Sequence, residues 1–417
     1  VYGLALAAKY SALPFLGVFL AAAVVRLHGT RAPAPALAPR RKWKRHDAPP
    51  PAPGPSWGAA VRRALVLVGV PAVAPAILVQ QVVVASTTPR GAFLDGVERK
   101  FATYRYHDEA VKAASSLPRG LAAYAAGLLW VRASSVPGAR INYFLGEAAG
   151  TGWFFYFPVA LALKLTTAVV LGLIAAAVLA AVLLARRGAE GRRRRLRLLA
   201  ARSLLPAFLG AAYLGAAMLS NVNIGVRHVA PSVPLLLVAA AGVLRTAVPR
   251  RTGAVVAVAV VVFAAFEAGA YLGREIPFGN LLAGGPPGVR KVLSDSNVDW
   301  GERLGAVFER ARKGDLGRVG VVSLFWDAQA AKSAGAVWVA ELVPGTVDTL
   351  FVSTFLWDIA PAIGRSRENS PKWTYFRETL TPFLRKIEEE AVSVEPFLDE
   401  YLLIRLRPHG SPAAPTR

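Results

Sequence analysis

WFFYFPVALALKLTTAVVLGLIAAAVLAAVLLARRGAEGRRRR, residues 153–195, decides the class of this chain. The aromatic cluster Trp153, Phe154, Phe155, Tyr156 and Phe157 opens it, an Ala/Val/Leu run follows, and Arg186, Arg187 and Arg192 to Arg195 close it. Aromatic residues collect where a bilayer meets water, and arginines collect on the cytoplasmic side. The apolar run between them exceeds the roughly 20 residues that cross a hydrocarbon core of about 30 Å. Lys164 falls about two helical turns inside the aromatic belt, where an ammonium needs an anion or must snorkel back to the headgroups.

Similar apolar runs occur on both sides of this stretch. About six spans are expected, near residues 3–25, 64–85, 154–185, 203–219, 231–248 and 254–273. None has the length and position of a cleaved signal peptide. The sequence begins with Val1 already inside an apolar run, so it is read as lacking its N-terminus. The formal charge of +23 is not spread evenly. It crowds into alternate loops: Arg26 to Arg45 after the first span, Arg186 to Arg202 after the third, and Arg245, Arg250 and Arg251 after the fifth. That asymmetry puts loops 28–63, 186–202 and 245–253 in the cytoplasm, and loops 86–152 and 220–230 and the tail from about 275 outside. The RRRR run has no interleaved aromatics on which bases stack, so the charge is read as topology and anionic-lipid contact, not nucleic-acid binding.

Residues 28–60, rich in Pro, Ala and Arg, read as a cytoplasmic connector within a membrane region 1–274. In the outer loop 86–152, SSLPRGLAAYAAGLLWVRAS (115–134) has helical apolar spacing, too short to span, and suits a helix lying on the membrane surface. From 275 to 417 the pattern changes to a soluble α/β domain. Strands are expected at 319–325, 349–355 and 400–407, and helices at 300–313 and 373–390. The expected fold is thus a polytopic α-helical membrane protein with a C-terminal α/β domain outside.

Polar groups beside spans cost several kcal/mol unless paired or used, about 2–4 on insertion scales. Two strings stand out for that reason. NIGVRHVAP (223–231) offers the guanidinium of Arg227, the imidazole of His228, the amide of Asn223 and close backbone approach at Gly225. Those groups suit a phosphate or carboxylate clamp, and equally a solvated hairpin turn. SDSNVDWGERL (294–304) sets Asp295, Asn297 and Asp299 at alternate positions before Trp300. The spacing starts like a calcium loop but lacks its later ligands, so capping of a helix opened by Trp300 and domain docking are the stronger reading. Glu147, beside a Gly-rich turn, admits three readings: base, metal ligand or cap for the next span. His107, Asp108 and Glu109 form a clustered acid/base group that reads as an exposed helix face. Cysteine is absent, which excludes thiol chemistry and Cys-ligated zinc, and the scattered histidines give no metal site.

Five strings in order carry a resemblance: GLALAAKYSALPF (3–15), LPRGLAAYAAG (117–127), NYFLGEAAGTGWFFYFPVALALKL (142–165), NIGVRHVAPSVPLL (223–236) and DSNVDWGERL (295–304). Together they resemble the C-terminal part of the polyprenyl-phosphate-dependent membrane glycosyltransferases of family 39, kin of the protein O-mannosyltransferases and aminoarabinose transferases with the C-type superfold. The resemblance covers residues 1 to about 305. It implies an enzyme of the cell (inner) membrane that moves a sugar from a polyprenyl-phosphate donor to a lipid, glycan or protein hydroxyl outside. Its catalytic acid would lie in an outer loop preceding Val1. Lys164, Arg227 and His228 would hold the donor phosphate, with Glu147 and Asn223 in the same substrate site, while Asp295, Asn297, Asp299 and Trp300 are structural or docking residues. No metal or certain cofactor is implied, and a divalent cation is left open. The sequence departs from the family where Glu302 and Arg303 follow the DWG in place of Gln and Asp, and where Thr166 and Thr167 replace Thr-Pro. Two rival readings are a transporter or flippase for a lipid-linked anion, and a membrane-anchored protein whose outer domain binds ligand.

Overall fold

The computed structural model describes residue 59 and residues 89–102, 106–185, 192–325, 328–339, 346–368 and 371–407. The spans expected at 3–25 and 64–85, and the connector 28–60 apart from Ala59, lie outside the described residues. The chain divides into two compact units, residues 1–134 and 135–417, so the boundary expected near residue 274 falls inside the second unit.

In the first unit, α1 (Arg90–Phe101), α2 (His107–Ser116) and α3 (Arg119–Ser134) form a small helical cluster. Phe93, Val97 and Phe101 repeat at helical spacing and bury against alanines, among them Ala110, Ala114, Ala122 and Ala126. Methyl-sized partners let the three helices approach closely. His107, Asp108 and Glu109 open α2, where carboxylates favour the positive end of the helix dipole. His107 Nδ1 meets Asp108 Oδ1 at 3.0 Å on the exposed side, the helix-face role expected for this group.

The second unit begins with a hairpin, β1 (Asn142–Phe144) and β2 (Glu147–Ala149), and then corrects the span expected at 154–185. Two helices occupy that stretch, α4 (Tyr156–Lys164) and α5 (Thr167–Ala185), with Leu165 extended between them. No proline makes the break; distant side chains do. The Asn280 amide donates to Ala162 O at 2.6 Å and Leu165 O at 2.7 Å, satisfying carbonyls that a continuous helix would have bonded internally. The buried carboxylate of Glu267 accepts Thr167 N at 2.6 Å, Thr167 Oγ1 at 2.8 Å and Leu281 N at 2.9 Å. An acid therefore sits on the N-terminus of α5, where the dipole favours negative charge.

After α5 a continuous helical run consists of α6 (Arg192–Leu199), a π-helical segment Ala200–Leu204 and α7 (Leu205–Met218). It is followed by α8 (Ser232–Ala247) and α9 (Arg250–Gly269). Among the described residues, three helices are long and apolar enough to cross a membrane: Thr167–Ala185, Leu196–Met218 and Arg250–Gly269. The run expected at 203–219 thus starts earlier, at Leu196. At 16 residues α8 is shorter, about 24 Å by helical rise, against a core of about 30 Å. Large apolar side chains such as Ile174, Val178, Val258 and Phe266 point outward from the bundle, as lipid-facing residues do.

The C-terminal region is a five-stranded sheet in the order β4 (Ala336–Trp338), β3 (Val319–Val322), β5 (Thr349–Ser353), β7 (Tyr401–Leu406) and β6 (Ala391–Phe397). β4, β3 and β5 are parallel; β7 and β6 add antiparallel. Strand side chains alternate between two cores. α10 (Gly285–Val292), α12 (Ala328–Ser333) and α14 (Pro371–Tyr375) are shorter helices of this region. Val321, Phe351 and Leu403 pack on α11 (Leu304–Arg312), whereas Leu350, Val352 and Ile404 pack on α13 (Thr354–Arg365) and α15 (Thr381–Glu390). The helix expected from Trp300 starts four residues later, at Leu304, because Gly301 adopts φ 80° and turns the chain first.

Candidate functional site

The two polar strings meet, and Asn297 ties them. Its side-chain Oδ1 accepts Val226 N at 3.0 Å, while Nδ2 donates to Tyr156 OH at 2.8 Å and Ser294 O at 3.2 Å. Its backbone oxygen accepts Lys164 Nζ at 2.8 Å, and the same ammonium donates to Ile276 O. One buried amide therefore joins α4, the 220–230 turn and the 294–301 loop. Ser296 Oγ adds a bond to Ile224 O, and a Cβ at Gly225 would overlap that hydroxyl, so the close approach needs glycine. Asn223 closes the other side. Its Oδ1 accepts Trp153 N, and its own N–H donates to Asn142 Oδ1 at 3.0 Å.

Against this frame Val226–His228 forms a single 3-10 turn that presents Arg227 and His228. The Arg227 guanidinium stacks 4.1 Å above the Trp300 ring, and Trp300 in turn lies 5.2 Å from Phe325. Stacking fixes the plane of the fork while leaving its N–H edge available. His228 is driven down to about 4, first by burial and then by the charges of Arg227 and Arg140. It is thus a neutral imidazole at neutral pH, with Nε2 buried and no hydrogen-bond partner. Arg140 also lowers the Arg227 pKa, after burial and against the opposing charge of Asp295. An arginine remains cationic regardless. Two guanidinium groups, Arg227 and Arg140, thus act electrostatically on the neutral His228, with the charge of Asp295 opposing them at Arg227.

Lys164 ends α4, three residues before α5, the first membrane-length helix among the described residues, begins. Burial lowers its pKa to about 7, opposed by the charge of Glu302. Its two carbonyl partners make it a fastener of the loops, so its expected contact with a phosphate would come on top of those bonds.

Asp299 points the other way, into the sheet domain. It is 2% exposed, accepts a hydrogen bond from Ser353 Oγ at the end of β5, and accepts Gly301 N at 2.8 Å. Burial raises its pKa to about 6 despite those bonds. Its capping is of the Gly301 turn, not of α11. Glu400 is the stranger group: its side chain is wholly buried, neither oxygen has a hydrogen bond, and Arg303 Nε lies 3.9 Å away. Burial, then the charge of Glu302, raises it to about 7 from 4.5. The folded protein therefore holds this proton at pH values where the unfolded chain has released it. The resulting stabilisation is complete below about pH 4.5 and lost as pH rises through 7. Glu400→Gln, which keeps the neutral shape, is expected to raise the melting temperature at pH 8 and leave it unchanged at pH 4.5. The gain should be about 1–3 kcal/mol, and equal melting of variant and wild type at pH 8 would contradict it.

No family model, curated protein or solved structure matches this chain.

The site therefore stands on its own geometry. Of the expected residues, Lys164, Asn223, Arg227, His228, Asp295, Asn297, Asp299 and Trp300 belong to one connected set of loops. Glu147 does not join these contacts. It is exposed in β2, and the next helix starts nine residues later, so it caps nothing. No group of three or more metal-ligand side chains occurs among the described residues. Three contributors were missed in the sequence. Arg140 lies in a glycine-flanked loop with no polar string around it, and Ser353 and Glu400 read as ordinary residues of the strands expected at 349–355 and 400–407.

Proposed function

We propose that this chain acts as an integral-membrane glycosyltransferase that moves a sugar from a polyprenyl-phosphate donor to a lipid, glycan or protein acceptor. The observation that carries the reading is the stacked Arg227, with Arg140 and His228 beside it, at the end of the bundle where α5 begins. A lipid phosphate presents its charge at that depth. In the proposed reaction the acceptor hydroxyl gives its proton to a base and attacks the anomeric carbon. The bond from that carbon to the phosphate oxygen breaks, and the lipid phosphate leaves with added negative charge. A prepositioned guanidinium at that oxygen lowers the barrier because it needs no reorganisation as charge develops. His228, neutral, supplies a hydrogen bond instead of a second charge. Asn297 and Lys164 hold the loops, and Asn223 anchors the turn from behind.

With the basic loops 186–202 and 245–253 in the cytoplasm, the site and the sheet domain lie outside, in a multi-pass protein of the cell membrane. Two features favour transfer over the rivals. A transporter needs polar groups continuing through the bundle, yet α5 is apolar beyond Thr167, and Glu267 in α9 is consumed in capping it. A ligand-binding α/β domain uses the C-terminal ends of its parallel strands. Here Asp299 fills that place by bonding Ser353, with Trp300 and Phe325 alongside.

The test is turnover by the full-length protein in proteoliposomes, supplied with radiolabelled hexosyl- and pentosyl-phosphoryl polyprenols. Protein-dependent transfer of label with release of polyprenyl phosphate supports the proposal. Absence of transfer from every such donor overturns it.

A further inference from the structure

After α9 the chain folds back against the break between α4 and α5 before it enters the sheet domain. Tyr271 and Phe278 pack edge to face with ring centroids 5.1 Å apart, and Gly284 and Gly285, at φ 75° and 74°, turn the chain into α10. Between those points the backbone is buried and paired. Phe278, Gly279 and Asn280 are buried. Asn280 N–H donates to Leu163 O at 3.0 Å, while its side-chain oxygen accepts Ala283 N at 2.9 Å. Gly284 N–H donates to Leu281 O at 3.2 Å, and Leu281 N–H reaches Thr167 Oγ1 as well as Glu267. Ile276 O, at the start of the loop, accepts the Lys164 ammonium. Two side chains do the opposite of this backbone. Leu281 is 67% exposed and Leu282 57%.

The hydrogen bonds also fix the depth of those leucines. At 19 residues α5 is about 28 Å long by helical rise, no more than a hydrocarbon core of about 30 Å. Its first residue, Thr167, therefore stands at the edge of that core when the helix crosses it. α9 reaches the same level, because Glu267 near its end accepts Thr167 N–H, with Arg250 and Arg251 at its other end. Leu281, bonded through its backbone to both Thr167 and Glu267, shares their depth. The exposed surface beside it is apolar: Leu171 projects one turn into α5, and Phe266 projects from α9. Non-helical backbone at this depth is tolerated only where it is buried in protein and its polar groups are satisfied. The 276–284 loop is built in that way.

We infer that the 276–284 loop dips into the edge of the hydrocarbon core, with Leu281 and Leu282 immersed among lipid acyl chains beside α5 and α9. The tail expected to be soluble from about residue 275 thus begins with a lipid-contacting segment. The immersed loop also sets the depth of the candidate site. Lys164 joins Ile276 O to Asn297 O, and the Asn297 side chain holds the turn that bears Arg227. The inference requires the bundle to lie in a bilayer, but it does not depend on sugar transfer.

The sequence contains no cysteine, so Leu281→Cys and Leu282→Cys each admit one fluorescent bimane probe without removing a backbone hydrogen bond. The labelled chain is placed in phosphatidylcholine vesicles in which part of the lipid carries a nitroxide on carbon 5 of an acyl chain. Quenching by that lipid is compared with quenching by acrylamide in the water. Ile174→Cys, on the exposed face of α5, and Val337→Cys, exposed in β4, supply the lipid and water references. Lipid nitroxide should quench positions 281 and 282 about as well as position 174, and acrylamide should quench them several times less than position 337. Acrylamide quenching equal to that at position 337 would overturn the proposal by placing the leucines in water. Protection from both quenchers would overturn it as well, because protein rather than lipid would then cover them. A probe at position 174 that the lipid nitroxide does not reach would remove the bilayer itself from this region, and the proposal with it.

Discussion

Arg227→Ala is expected to weaken binding of polyprenyl phosphate by about 100-fold, equivalent to about 3 kcal/mol, the scale of a charge-assisted contact removed from a partly desolvated site. The side chain is exposed and rests its flat face on Trp300, so its removal empties no core and should leave the protein folded. Arg227→Lys should recover only part of the loss. An ammonium keeps the charge but has neither the two-pronged edge nor the planar face that the indole orients. Equilibrium binding of a short-chain polyprenyl phosphate to the three proteins in detergent gives the answer. Unchanged affinity in the alanine protein would end the assignment of Arg227 as the phosphate contact, whatever happens to turnover.

Asn297→Ala should be the most damaging single change in the connected loops. It strands Val226 N–H, which is part-buried, and the buried Tyr156 OH, and it removes a buried donor to Ser294 O. Unsatisfied buried groups cost about 1–3 kcal/mol each, so a loss of about 4 kcal/mol is expected. The consequence reaches function through position. With the amide gone, the 3-10 turn bearing Arg227 and His228 is no longer tied to α4, so hydrogen exchange at 224–228 should accelerate along with that at 294–299. Local exchange separates this effect from general instability, because strands β3 and β5 should stay protected. An alanine protein that melts like the wild type, with slow exchange in both loops, would show that the knot is not what holds the turn.

Sequence patterning made the helical membrane class and the α/β tail legible because both rest on periodicity. The Ala/Val/Leu runs of α5 and α9 have no other stable use, and VGVV, TLFVS and YLLIRL read as buried strands. What patterning missed depends on contacts distant in the chain. The break at Leu165–Thr166 carries no proline or glycine; it exists because Asn280 and Glu267 arrive more than a hundred residues later to satisfy the severed backbone. Two prolines in the tail sit inside regular elements. Pro361 sits inside α13, and Pro396 lies in β6, where an edge strand tolerates a missing donor. In the candidate site, the polar strings announced themselves by costing energy beside apolar spans. Arg140 and Glu400 stand in ordinary polar surroundings, so only the folded chain reveals what they face.

The central claim is that the Arg227 end of the bundle recognises a lipid through its phosphate. It is tested most directly by comparing the affinity of the full-length protein for polyprenyl phosphate and for the polyprenol of the same chain length. The two ligands share the hydrocarbon and differ only in charge. Tighter binding of the phosphate by at least about tenfold is expected, from one charge-assisted contact. Equal binding of the two would mean that the tail alone is recognised, and the cations around Trp300 would have no part in holding the donor.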